Sequence, residues 1–176
     1  MGQIVIQATL SFLRTGYILE ELNNTFITLV PKNLSLEEVY ECRPISLRNV
    51  AYKIVARVLA DRLKLIIDDL ITPHQNASIK GRLITDNIIL THKLLHTIKK
   101  KKREDFISFA LKVDLSKAYD RLSWNFIEAT IQKMGFSQQW TQLVMQCVST
   151  MTYIILVNGA PTKKSKPNCG IRQGDP

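Results

Sequence analysis

An α+β fold is predicted by three features of the sequence: apolar residues at helical spacing, β-branched runs with period-two alternation, and an Asn158-Gly159 turn between two extended runs. With 176 residues, 45% of them hydrophobic, the chain can bury a real core, and its length alone reads as one domain. No internal repeat or low-complexity linker interrupts it.

The elements follow in order. Thr25 to Val30, ahead of Pro31, reads as a strand. From Val50 to Leu70, Ala51, Val55, Val58, Leu59, Leu63, Ile66 and Leu70 recur at helical spacing. This predicts one long amphipathic helix, with Lys53, Arg57 and Lys64 as a basic stripe on another face. A second helix is capped by Thr85 or Asp86 and runs through Ile88, Leu95 and Ile98 into the charge run Lys99 to Arg103, an exposed loop that is either a solvated connection or a phosphate-binding run. In Phe109 to Asp114, Leu111 and Val113 alternate with Lys112 and Asp114, predicting a strand with one buried face and a carboxylate at its end. Ser123 caps a helix bearing Trp124, Ile127, Ile131 and Met134, stopped by Gly135. Ser137 caps another with Trp140, Val144 and Cys147. Thr152 to Val157, the Asn-Gly turn and a return segment after Thr162 make a hairpin.

Twenty-four Lys and Arg against fifteen Asp and Glu leave a net charge of +9, which favours a polyanionic partner such as nucleic acid or an anionic membrane. The membrane is the weaker choice. No apolar run approaches the roughly 20 residues needed to span a bilayer. The first residues lack a basic n-region and a cleavage site, and Ile6 stands where a myristoylation signal requires Ser or Thr. Cys42, Cys147 and Cys169 are odd in number and without CxxC spacing, so neither a disulfide nor a zinc site is indicated. An intracellular protein, nuclear or cytoplasmic, is expected.

Chemistry is concentrated in a few segments. Phe26-Ile-Thr-Leu-Val-Pro-Lys32 is followed by Arg43-Pro-Ile-Ser-Leu47 with Tyr52-Lys-Ile54, then by Gly81-Arg-Leu-Ile-Thr-Asp-Asn87. Lys112-Val-Asp-Leu-Ser-Lys-Ala-Tyr-Asp120 and Gly170-Ile-Arg-Gln-Gly-Asp-Pro176 complete the series. In that order, with Met134-Gly-Phe136, Trp140 and Val157-Asn-Gly159 between them, they closely resemble the successive motifs of the reverse transcriptases of plant LINE-type (non-LTR) retrotransposons.

The resemblance implies an incomplete right-hand polymerase fold: residues 1–103 mainly fingers, and residues 104–176 the first part of the palm. It implies RNA-directed DNA synthesis with Mg2+, an RNA template, a DNA primer and deoxynucleoside triphosphates. Asp114 is then the catalytic, metal-holding carboxylate, although an Asp after a strand is commonly a turn or cap residue. Tyr119 matches a steric gate under the sugar, Lys32 and Arg43 match cations that hold the triphosphate, and Gln173 and Gly174 match residues beside the nucleotide. Asp120 is expected to be a structural hydrogen-bonding residue. Lys53, Arg57, Lys64 and Arg82 are candidate nucleic-acid contacts, Arg82 having the alternative of capping the helix after it.

The family's aromatic-Ala-Asp-Asp segment is not among the 176 residues, and the Asp68-Asp69 pair falls at a helix end. Weak Mg2+ binding and no polymerase activity are therefore expected of these residues alone. Lys80, the pair Ser78-Ile79 and Cys169 depart from the family pattern, as in a decaying copy. A non-catalytic nucleic-acid-binding module and a relic without function are the alternatives.

Overall fold

The computed structural model describes residues 2–32, 38–77, 79–100, 109–172 and 174, with Tyr40 described by its backbone alone. It consists of helices and a small mixed sheet. In chain order these are α1 (Gly2–Thr15), β1 (Asn24–Pro31), β2 (Cys42–Arg48), α2 (Val50–Leu63), α3 (Ile67–Leu70) and α4 (Ile84–Lys100). They continue as α5 (Ala118–Arg121), α6 (Trp124–Lys133), α7 (Gln138–Ser149), β3 (Thr152–Val157) and β4 (Ala160–Pro161). Short 3-10 turns occupy Glu20–Asn23 and Val39–Glu41. The chain forms two compact units, one of Met1–Ala60 with Lys117–Pro176 and one of Asp61–Ser116.

In the first unit the sheet order is β2-β1-β3-β4. β1 runs antiparallel to β2 and parallel to β3, and β3 turns back antiparallel into β4. The expected strand at Thr25 to Val30 is thus an inner strand of the sheet. β2 lies at its edge, the place in a sheet where a proline such as Pro44, lacking an amide N–H, is tolerated. The β3–β4 turn is of the type that positive φ at both central residues selects, 52° at Asn158 and 81° at Gly159. The return strand starts at Ala160, before Thr162, and the pairing continues as a Tyr153–Ser165 bridge.

The helices around this sheet close a core of Phe12, Ile18, Tyr52, Val55, Leu59, Leu143 and Cys147. Tyr52, Val55 and Leu59 recur at helical spacing on α2, and this is the face it buries. Ser137 caps α7 as expected, its Oγ accepting from the Trp140 amide at 3.2 Å. Gly135, at φ 86°, ends α6 with its amide bonded to the Gln132 carbonyl at 3.0 Å, and the Phe136 amide reaches the Ile131 carbonyl at 3.4 Å. Ser123 holds the cap position of α6 without a side-chain hydrogen bond.

Four expectations are corrected. The helix predicted over Val50 to Leu70 stops at Leu63, turns through residues 64–66 with Leu65 82% exposed, and resumes only as α3. Apolar periodicity continues along the sequence, but a helix persists where its apolar face is covered. α4 begins at Ile84, so Thr85 and Asp86 lie in its first turn, where the Asp86 charge favours the positive helix end. Phe109 to Asp114 forms no strand. Leu111 and Val113 are 78% and 72% exposed, and no ladder partner pairs with this segment among the described residues. Alternation makes a segment fit a sheet, but a strand exists only where a neighbour satisfies its amides and carbonyls. The loop expected at Lys99 to Arg103 begins as the last turn of α4 at Lys99 and Lys100, and its remainder lies outside the described residues.

The core carries a pH dependence. Burial pushes the Tyr52 hydroxyl from 10.0 to about 12 and the Cys147 thiol from 9.0 to about 12, the nearby Arg172 charge partly opposing both. Each raised value means that the folded state favours the protonated form, so this stability is complete below pH 9–10 and lost as pH rises through about 12. Denaturant midpoints should be flat through neutrality and fall steeply above pH 9, less steeply in Cys147→Ala. A wild-type midpoint unchanged at pH 11 contradicts this.

Candidate functional site

The site in the first unit is built around a strap, residues 169–172, laid against the turn that carries Tyr119. The Gly170 amide donates to the Leu122 carbonyl at 2.7 Å and the Ile171 amide to the Tyr119 carbonyl at 2.8 Å. The Trp124 indole Nε1 donates to the Gly170 carbonyl at 2.8 Å, and the Cys169 thiol lies 3.5 Å from the Asp120 carbonyl. Lys117 enters this turn at φ 53°, a left-handed conformation uncommon for a side-chain-bearing residue, and its carbonyl caps α5 by accepting from the Asp120 and Arg121 amides. Tyr119 is half exposed, with its ring free to meet a ligand from solvent.

At its other end the strap leads to Gly174, whose carbonyl accepts from Arg48 Nη2 at 2.6 Å. A cavity of about 610 Å³ opens there. Arg48, Lys53 and Arg57 give it a basic wall, Val50, Ile54 and Val58 an apolar one, and Gly174 contributes backbone. Lys53 and Arg57 are one helical turn apart on α2, which explains why they share the wall. Such a wall suits phosphate oxygens.

Lys32 and Arg43 lie at one end of the β1–β2 ladder. Arg43 pairs with Val30 in the β1–β2 ladder, and Lys32 follows Pro31, the last residue of β1, in a bend at the same end of that ladder; both are exposed. The Lys32 amide donates to the Glu41 carbonyl at 3.0 Å. Gln173 lies outside the described residues.

The remaining predicted residues belong to the second unit. Asp114 is exposed in a segment without regular structure. Lys64 lies in the turn after α2 with its Nζ 3.2 Å from Asp61. Arg82 organises the loop before α4. Its Nη1 donates to the Thr72 and Gln75 carbonyls at 2.7 and 2.8 Å, and its Nη2 meets Asp68 at 3.2 Å. These bonds hold the loop before α4 and do not cap that helix. No group of three or more His, Cys, Asp or Glu that could hold a metal gathers among the described residues.

Sequence reasoning passed over Arg172. It is 4% exposed, and its fork donates to Thr25 Oγ1 at 2.8 Å, Asn23 Oδ1 at 2.5 Å and the Cys147 carbonyl at 3.1 Å. Its guanidinium carbon stands 4.1 Å from the centre of the Tyr52 ring. Burial pulls its pKa below the ordinary guanidinium value. The only signal in the sequence is its place in the Gly170 to Pro176 motif, because its partners are distant along the chain. Among the described residues, no helix is long and apolar enough to cross a membrane.

The chain is similar to known proteins over most of its length. The family described as Reverse transcriptase (RNA-dependent DNA polymerase) matches residues 30–176. The Transposon TX1 uncharacterized 149 kDa protein of Xenopus laevis is 32% identical over 151 residues, 85% of this chain and 11% of that protein. The Retrovirus-related Pol polyprotein from type-1 retrotransposable element R2 of Popillia japonica is 29% identical over 151 residues, 85% of this chain and 20% of the polyprotein. That from type-2 retrotransposable element R2DM of Drosophila melanogaster is 26% identical over 147 residues, 84% of this chain and 13% of the polyprotein. The chain therefore spans between about a tenth and a fifth of the length of these relatives.

Proposed function

This chain belongs to the reverse transcriptase (RNA-dependent DNA polymerase) family, of the non-LTR, LINE-type kind, and we propose that it supplies the fingers and the first part of the palm of a right-hand polymerase that copies RNA into DNA. In this reading residues 1–103 are mainly fingers and residues 104–176 the first part of the palm, and the likeness of the motifs to those of plant LINE-type elements is what supports a plant origin. The observation that carries the reading is the strap, which joins a half-exposed Tyr119 to Gly174 beside a basic cavity, within the segment that matches the family.

The roles follow from chemistry. Lys32 and Arg43 hold the triphosphate of an incoming deoxynucleotide, one as a point charge and one as a fork. Tyr119 lies under the sugar and leaves no room for a 2′-hydroxyl. Gln173 and Gly174 line the base and template side, where glycine permits close approach. Lys53 and Arg57 contact phosphates of the RNA template or DNA primer, and Lys64 is a separate phosphate contact. Such a protein acts inside the cell, where its template and substrates are. Asp114 fits Mg2+ as one carboxylate ligand among the several oxygens that the ion requires. When bound, the ion polarises phosphate and lowers the pKa of an attacking hydroxyl. Asp114 contributes a fixed negative charge exposed to solvent, so these residues alone hold the ion weakly.

The test is binding of a labelled RNA–DNA primer–template over a salt series. With Lys53, Arg57 and Lys64 each neutralising one phosphate, the slope of log K against log salt is about −3, a loss of some tens of fold between 50 and 200 mM. Lys53→Ala and Arg57→Ala should each lower the slope by about one. Affinity indifferent to salt would sink the proposal.

A further inference from the structure

Arg172 is a charge placed in the core, and taking a guanidinium out of water costs several kcal/mol unless directional partners compensate. Here the partners come from separate parts of the unit. Thr25 is on β1, Asn23 is in the turn before it, the Cys147 carbonyl is on α7 and the Tyr52 ring is on α2. Asn23 is itself fixed, its Nδ2 donating to the Cys147 carbonyl at 3.1 Å and to Thr150 Oγ1 at 2.8 Å. An apolar side chain could fill the same space, but it would slide. A fork with three bonds and a stacked ring allows one position and one orientation.

What that orientation fixes is the strap. Residues 170 and 171 are bonded to the turn at Tyr119 and Leu122, residue 172 is clamped in the core, and residue 174 is bonded to Arg48. We propose that Arg172 is the positioning residue of the site, clamping the strap so that Tyr119 and Gly174 face a nucleotide in one fixed register. The proposal rests on the reading of Tyr119 and Gly174 as nucleotide-facing groups. Arg172 touches no substrate and acts through the strap alone.

The experiment compares the whole 176-residue chain with Arg172→Met and Arg172→Lys. Three readouts are taken: the NMR resonance of the Trp124 indole Nε1–H, amide hydrogen exchange, and affinity for the labelled RNA–DNA primer–template. In Arg172→Met the Trp124 resonance should move, and exchange at Gly170 and Ile171 should accelerate at least about tenfold, while the β1–β3 ladder changes less than about threefold. Primer–template affinity should stay within about twofold, since the phosphate-binding cations are untouched. Arg172→Lys keeps the charge without the fork and should release the strap as well. The proposal is overturned if Lys restores the strap fully, if neither variant disturbs it, or if both loosen the ladder as much as the strap, which would make Arg172 a core residue only. A wild-type chain that binds no primer–template defeats the polymerase reading instead, and the exchange and indole signals judge the clamp separately.

Discussion

Gly170→Ala should destabilise the chain by about 2–5 kcal/mol, combining roughly 1–2 for a left-handed residue with 1–3 for forced contact. Gly170 has φ 87°, and a Cβ there would lie 2.9 Å from the Asp120 carbonyl oxygen and 3.1 Å from that of Tyr119. Both atoms are backbone of the turn that the strap is bonded to, so neither can move aside without breaking the Gly170 and Ile171 hydrogen bonds. Gly16→Ala separates the two contributions. Gly16 has φ 71° but no atom within 4 Å of a built Cβ, so it should cost only the conformational part, about 1–2 kcal/mol. Urea unfolding of both variants measures the difference. Equal losses would mean that the close approach at the strap has no energetic weight.

Much of the fold was legible because its signals are local. The Ser137 cap, the Gly135 stop and the Asn158-Gly159 turn each depend on residues within a few positions, and each formed as expected. β2 was not among the strands expected from the sequence; it contains Pro44, and the sheet order shows that it sits at an edge. The segment at Phe109 to Asp114 failed for the opposite reason. Its alternation is local, but a strand needs a partner that alternation does not supply. α2 stopped early because coverage, unlike periodicity, is a tertiary property.

The site divides in the same way. Lys32, Arg43, Tyr119 and Gly174 were named from the motifs, and the register puts Arg43 opposite Val30 at the end of the ladder that Lys32 follows. Lys53 and Arg57 were legible from helical spacing. Lys64 was drawn into the same stripe only by extending α2 past its end, and it lies in the turn. Arg172 was not legible, since its importance lies in bonds to residues 147 and 149 positions away in sequence. Arg82 was read as a template contact or a cap on the following helix, and its three bonds go to Thr72, Gln75 and Asp68 in the segment before it.

The largest expected effect belongs to Asp114. A group that holds metal where charge develops in the transition state commonly contributes 10²- to 10³-fold or more, and a carboxylate shared in a two-ion site belongs at the upper end. The 176 residues by themselves supply one such matched acid, so they should extend no primer. Carried in the R2 polyprotein of Popillia japonica in exchange for the matching segment, they meet the rest of a longer chain, with the unmodified polyprotein as reference. The most direct measurement is primer extension on an RNA template with Mg2+, comparing the isolated chain, the exchange protein and Asp114→Ala in each. The predicted result is no product from the isolated chain, product from the exchange protein, and a loss of at least about 10³-fold on Asp114→Ala. Extension that Asp114→Ala leaves unchanged, in either protein, contradicts it.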